Sequence, residues 1–99
     1  MTHQLRIYDI EEGALESFTE EWRQQIVPLR RQFGFEIVGA WAVKEANQFV
    51  WIIGHDDFEA ADQAYYDSPQ RAAMDPDPRR LIRGADTRLM NSIAKAEGL

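Results

Sequence analysis

The stretch FVWIIGHDD, Phe49–Asp57, is an almost wholly apolar run that ends in a histidine and two aspartates. Phe49 to His55 reads as a strand. FEIVGAWAV, Phe35–Val43, reads as the strand before it, and the polar turn KEANQ between them makes the pair a hairpin. In the later strand, Phe49, Trp51, Ile53 and His55 share one face; Val50, Ile52 and Gly54 share the other. In the earlier strand, Phe35, Ile37, Gly39, Trp41 and Val43 oppose Glu36, Val38, Ala40 and Ala42. Neither strand has a clean polar side. An antiparallel sheet with one wet face alternates apolar and polar residues. This hairpin therefore predicts a sheet covered on both faces.

Working outward, QLRIYDI, Gln4–Ile10, also alternates. Leu5, Ile7 and Asp9 point one way, and Arg6, Tyr8 and Ile10 the other. The period then changes. Leu15, Phe18, Trp22, Ile26, Leu29 and Phe33 step by threes and fours, so they form one stripe on a long helix. Glu11, Glu12 and Glu16 at its start and Arg30 and Arg31 near its end suit the helix dipole. Gly34 stands where a left-handed C-terminal cap belongs. Pro28 lies inside the stripe; it removes a hydrogen bond and clashes with the preceding turn, which predicts one kinked helix.

Downstream of the hairpin, Asp56 is placed as an N-cap, with Glu59 completing a capping box. The second helix starts near Asp57 and carries Phe58, Ala61, Ala64 and Tyr65 on one side. Ser68 and Pro69 restart a short helix, with the serine as its cap, and DPDP, Asp75–Pro78, stops it. Leu81–Met90 alternates as a fourth strand, and Asn91–Leu99 is a weakly patterned tail. The order β-α-β-β-α-β predicts a ferredoxin-like α+β subunit, one antiparallel sheet with both helices on one face. Two helices cover one face only. The other would be an apolar patch of a kind that monomers rarely expose, so a homodimer packed sheet against sheet about a two-fold axis is expected.

Composition bounds the function. The 99 residues form one domain, with an ordered core expected over residues 4–90. A hydrophobic content of 44% excludes a disordered chain, and the absence of cysteine excludes disulfides, thiol nucleophiles and thiolate metal sites. A net charge of -6 and a pI near 4.8 oppose nucleic acid and anionic membrane surfaces as partners. The arginines at 79, 80 and 83 follow prolines and aspartates and form no basic stripe. No apolar run approaches the roughly 20 residues of a membrane span. MTHQLRIYDI has no signal-peptide pattern, so a cytoplasmic protein is expected.

LRIY at the start, WRQQIVPLRRQFGF on the helix, VGAW in the hairpin, then AYYDSP, DPDP and TRLM together resemble the NIPSNAP family, from Gln4 to Met90. Gln4 stands where such proteins often have an acidic residue, and Glu11-Glu12-Gly13 replaces a Pro-Gly turn. The resemblance implies a dimeric α+β barrel, in agreement with the pattern of the strands. Related branches include haem-binding enzymes and cofactor-independent monooxygenases of aromatic substrates. The family also holds proteins discussed as binding or scaffold factors.

Two functions from different classes follow as expectations. The first is a small-molecule-binding protein, in its enzymatic version a cofactor-independent oxygenase, with a pocket between sheet and helices. Trp41, Trp51 and Tyr65 would line the pocket, and Arg6, Tyr8, His55 and Arg88 would serve it. His55 would be the general base, while arginine would hold an acidic group on a small aromatic ligand. Arg6, Tyr8 and Arg88 also match the family's LR-x-Y and TRL segments. Each residue has a structural alternative: His55 bonded to a backbone carbonyl, an Arg6–Asp86 or Arg88–carboxylate pair, and tryptophans as core or interface. No metal is expected, since His3 is the only other histidine and no metal-ligand spacing occurs. No cofactor is expected either, with haem through His55 alone left open. The second function is a non-catalytic homodimeric interaction module.

Overall fold

The computed structural model describes residues 1–99. Four strands, β1 (Thr2–Ile10), β2 (Glu36–Val43), β3 (Gln48–His55) and β4 (Ile82–Asn91), form one sheet in the order β2-β3-β1-β4. Every neighbouring pair is antiparallel. The helices are α1 (Leu15–Glu21), α2 (Val27–Gln32), α3 (Phe58–Asp67) and α4 (Pro69–Ala72). This is the ferredoxin-like α+β arrangement expected from the sequence, with β1 central between β3 and β4. No helix is long and apolar enough to cross a membrane.

The core lies between the sheet and its helices and is unusually aromatic. Tyr8, Ile10, Phe49, Trp51 and Ile53 rise from the sheet to meet Phe18, Trp22, Ile26, Leu29, Phe58 and Tyr65. Edge-to-face pairs such as Tyr8–Phe18 at 5.7 Å and Trp22–Trp51 at 5.6 Å interlock the rings. Such pairs add about 0.5–1.5 kcal/mol each beyond area burial. The stripe on the long helix is the one expected. Ala64 of α3, placed inside by its spacing, is exposed.

Pro28 does not break the helix. Between α1 and α2 the residues Trp22–Ile26 form a π turn, and the Val27 N–H donates to the Trp22 carbonyl five residues back. A wider turn is one way to absorb a ring that would collide with the carbonyl of Gln24 and supplies no N–H. The extra residue rotates the next turn of helix, so Val27 and Arg30 are buried along with Ile26 and Leu29. Gly34 has φ +83°, the left-handed end that was expected.

Two further expectations change. Asp56 does not cap α3. The residue at the cap is Asp57, whose side chain accepts no hydrogen bond; its own N–H donates to His55 Nδ1 at 2.9 Å. In β2, Ile37 pairs with Ile53 but Gly39 pairs with Ile52, so Val38 is an extra residue in a β-bulge. An extra residue inverts every side chain beyond it. Ile37 thus faces the helices while Trp41, expected on the same side, faces away.

Candidate functional site

One groove of about 590 Å³ opens between the sheet and the helices. Arg6 and Tyr8 of β1, Trp51 of β3 and Gly84 and Ala85 of β4 come from the sheet. Ile26, Arg30, Tyr65, Tyr66 and Arg71 come from the helical layer. Arg79, in the 3-10 turn Pro78–Leu81, and Arg83 stand with them. No aspartate or glutamate is in the lining. Five of the chain's eleven Lys and Arg residues therefore converge on one concavity, which reverses the net negative charge of the whole chain locally.

Arg6 is buried, with only 6% of its surface exposed, and no carboxylate pairs with it. Its Nε donates to the Tyr8 hydroxyl at 2.8 Å, Nη1 to Gln4 Oε1, and Nη2 to the Tyr66 hydroxyl at 2.7 Å. The guanidinium also lies 5.7 Å from the Trp51 ring centre. Burial, the strongest influence, works against its charge; Tyr8, Tyr66 and Asp62 outweigh it and leave the Arg6 pKa raised. Arg30 is buried still more deeply. Its Nη1 donates to Asp62 Oδ1 at 2.7 Å and its Nη2 to the same Tyr66 oxygen at 3.3 Å. Its guanidinium stacks 3.8 Å from the Tyr65 ring centre and 4.7 Å from that of Phe35. Burial raises the Tyr65 phenol above its ordinary value, against the opposing pull of Arg30 and Arg71. Two buried cations thus aim at one phenol oxygen, on a tyrosine that is 45% exposed. Trp51 Nε1 and Arg30 Nε, donors in the same wall, have no acceptor. Such an arrangement favours an acceptor-rich, negatively charged planar guest.

Of the residues singled out in the sequence, Arg6, Tyr8, Trp51 and Tyr65 come together in this groove. Trp41 and Arg88 do not. Trp41 lies beyond the bulge on the open side of the sheet, 52% exposed. Arg88 pairs with Leu5 of β1, on the side opposite Arg6, and binds Asp86 at 3.2 Å at the surface. The expected Arg6–Asp86 pair does not form, because Asp86 stands opposite Ile7 and so faces away from Arg6. The Arg88–carboxylate pair does form. His55 is outside the groove lining. Its Nδ1 accepts from the Asp57 N–H, so Nε2 carries the proton and donates to the Phe33 carbonyl at 3.0 Å. The ring packs edge-on against Phe35. Both nitrogens are thus occupied in tying the end of β3 to the end of α2. No group of three or more potential metal-binding side chains is present.

Sequence reasoning missed Arg30, Tyr66, Arg71, Arg79 and Arg83. A signal for Arg30 existed: it follows Ile26 by four residues and precedes Phe33 by three, which places a charge beside the apolar stripe. For Arg71, Arg79 and Arg83 there was none, because their convergence depends on how α4 and the turn before β4 fold back.

A family model described as NIPSNAP matches residues 3–95. No curated protein sequence is significantly similar to the chain. Among solved structures, an uncharacterized NIPSNAP domain protein from Burkholderia xenovorans superposes with a TM-score of 0.82 at 19% identity, covering 95% of this chain and 96% of that one. A NIPSNAP family protein with unknown function from Agrobacterium tumefaciens gives 0.78 at 21% identity, covering 91% and 86%. An antibiotic biosynthesis monooxygenase gives 0.70 at 16% identity, covering 95% and 100%. At these identities the likenesses show a shared fold.

Proposed function

The chain belongs to the NIPSNAP family, and from that premise we propose that it binds a small, planar, acidic molecule in the groove between its sheet and its helices. One observation carries the reading: Arg6 is buried among aromatic rings with only neutral partners. A buried charge without a counter-charge is unfavourable unless something supplies one. An arginine fork matches a carboxylate or an enolate, and Tyr8, Trp51 and Tyr65 offer flat apolar walls. The volume suits a small molecule. An oxygenase-type reaction would need a proton acceptor beside the guest, and the lining holds no histidine, aspartate or glutamate. Binding is therefore the conclusion.

Titration of tryptophan fluorescence with benzoate tests it, since Trp51 lies in the wall. Saturable quenching is expected in the wild type and a strong loss in Arg6→Met. Native mass spectrometry of freshly purified protein should show a co-purified organic acid. Unchanged benzoate affinity in Arg6→Met would refute the role of Arg6.

A second reading, the non-catalytic homodimeric module, is favoured by the open face of the sheet. Leu5, Ile7, Val50 and Ile52 line it, with Val38 and Trp41 about half exposed. Another copy of the chain pressed against this face would bury it. The groove lies on the opposite face, so dimerisation and ligand binding are compatible.

A further inference from the structure

We infer that the ligand carries two acidic groups, held at opposite ends of the groove. The inference rests on the reading of the groove as an acid-binding site and adds a second charge to its occupant. Of the five lining arginines, Arg30 is paired with Asp62 and Arg71 with Asp77. Arg6, Arg79 and Arg83 have no carboxylate partner. Arg6 forms the inner end, under the aromatic rings. Arg79 and Arg83, both exposed, form the outer end.

The outer end is built, not incidental. Ile82 pairs with Ile10 and Gly84 with the adjacent Asp9, so Arg83 is an extra residue in β4. A bulge of this kind re-aims a side chain, and Arg83 contributes to the groove lining. Asp77 organises the other outer residues. It accepts from the Arg79 backbone N–H at 2.9 Å and binds Arg71 at 3.1 Å, which fixes the start of the turn that carries Arg79. Burial alone would raise the Asp77 pKa, but these donors hold it below the ordinary value.

Spacing sets the size of the guest. Asp9, opposite the bulge, is three residues along β1 from Arg6, or about 10 Å at the rise of an extended strand. One carboxylate cannot neutralise both ends. A ring with acidic groups in para positions can, given the reach of the arginine side chains. The ligand class is therefore an aromatic or similarly flat dianion: a dicarboxylate, or a carboxylate bearing a phosphate.

Terephthalate and 4-methylbenzoate, nearly isosteric and differing by one acidic group, test this by fluorescence titration at physiological ionic strength. The wild type is expected to bind terephthalate about tenfold or more tightly than 4-methylbenzoate, the usual worth of one charge-assisted pair. In the Arg79→Ala/Arg83→Ala double variant, whose exposed positions spare the core, the ratio of the two dissociation constants should fall toward one. A ratio near one in the wild type, or a ratio kept in the double variant, overturns the inference. If 4-methylbenzoate still binds and depends on Arg6, the acid-binding reading survives that failure; if neither compound binds, both fall.

Discussion

Arg6→Met separates a residue kept for binding from one kept for stability. Methionine replaces the guanidinium with an apolar chain of similar length inside a wall that already contains Tyr8 and Trp51. In the folded protein the substitution removes three hydrogen bonds, all to neutral groups. Each is worth roughly 0.5–1.5 kcal/mol net, somewhat more where the donor is charged. It also relieves the desolvation of a buried cation, worth several kcal/mol in the opposite direction. Removing half of a buried ion pair usually costs about 3–5 kcal/mol because the other charge is left alone. Here no carboxylate is stranded, so the two contributions nearly cancel. Stability should change by no more than about 1 kcal/mol in either direction. Binding should respond differently. Loss of a charge-assisted bond to an acidic guest weakens affinity by about 1.5–3 kcal/mol, roughly 10- to 150-fold. Urea unfolding at one fixed protein concentration gives the first quantity, and benzoate titration gives the second. A loss of about 3 kcal/mol or more in stability with affinity unchanged would refute the reasoning, since Arg6 would then be structural.

Asp62→Asn is the contrasting substitution. It strips the only carboxylate from the buried Arg30, and a loss of about 2–4 kcal/mol in urea unfolding is expected. Gly34→Ala combines a left-handed φ of +83° with a methyl placed 3.1 Å from His55 Nε2, so a fall of about 1–2 kcal/mol should appear in the same assay. Trp41→Glu puts charge on the open face of the sheet; sedimentation should shift toward monomer while far-ultraviolet circular dichroism is retained. The Asp77 carboxyl, held below its ordinary value of 3.8, favours the folded state above that pH and loses the contribution as pH falls through the lowered value. Asp77→Asn should therefore flatten the acid limb of the stability profile, and an unaltered limb would contradict the assignment.

Part of the site was legible in the chain. Arg6 and Tyr8 stood out because a charge and a phenol sat on the inward face of a central strand, and Trp51 and Tyr65 because large aromatics followed strand and helix periods. Arg88 shows the limit of that method. Its segment marked it correctly as a strand residue, but strand period gives two faces without saying which one meets the helices. The registers Arg88–Leu5 and Thr87–Arg6 decide that it looks outward. His55 was visible as the end of a strand. Whether it served chemistry depended on two backbone groups, at Phe33 and Asp57, that meet it only in the folded chain.

The sequence by itself determined the order of strands and helices, the apolar stripe of the long helix, the left-handed end at Gly34 and the two-sided apolar hairpin. These depend on local periodicity and on backbone preferences carried by single residues. Tertiary structure alone decided the fate of Trp41, the burial of Arg30 and the convergence of the groove arginines. In each case an added residue, in a bulge or a π turn, shifted the phase of everything after it. Phase is cumulative along an element, whereas a sequence pattern is read position by position. A slip of one residue leaves the local pattern almost unchanged and moves the side chains beyond it to another face.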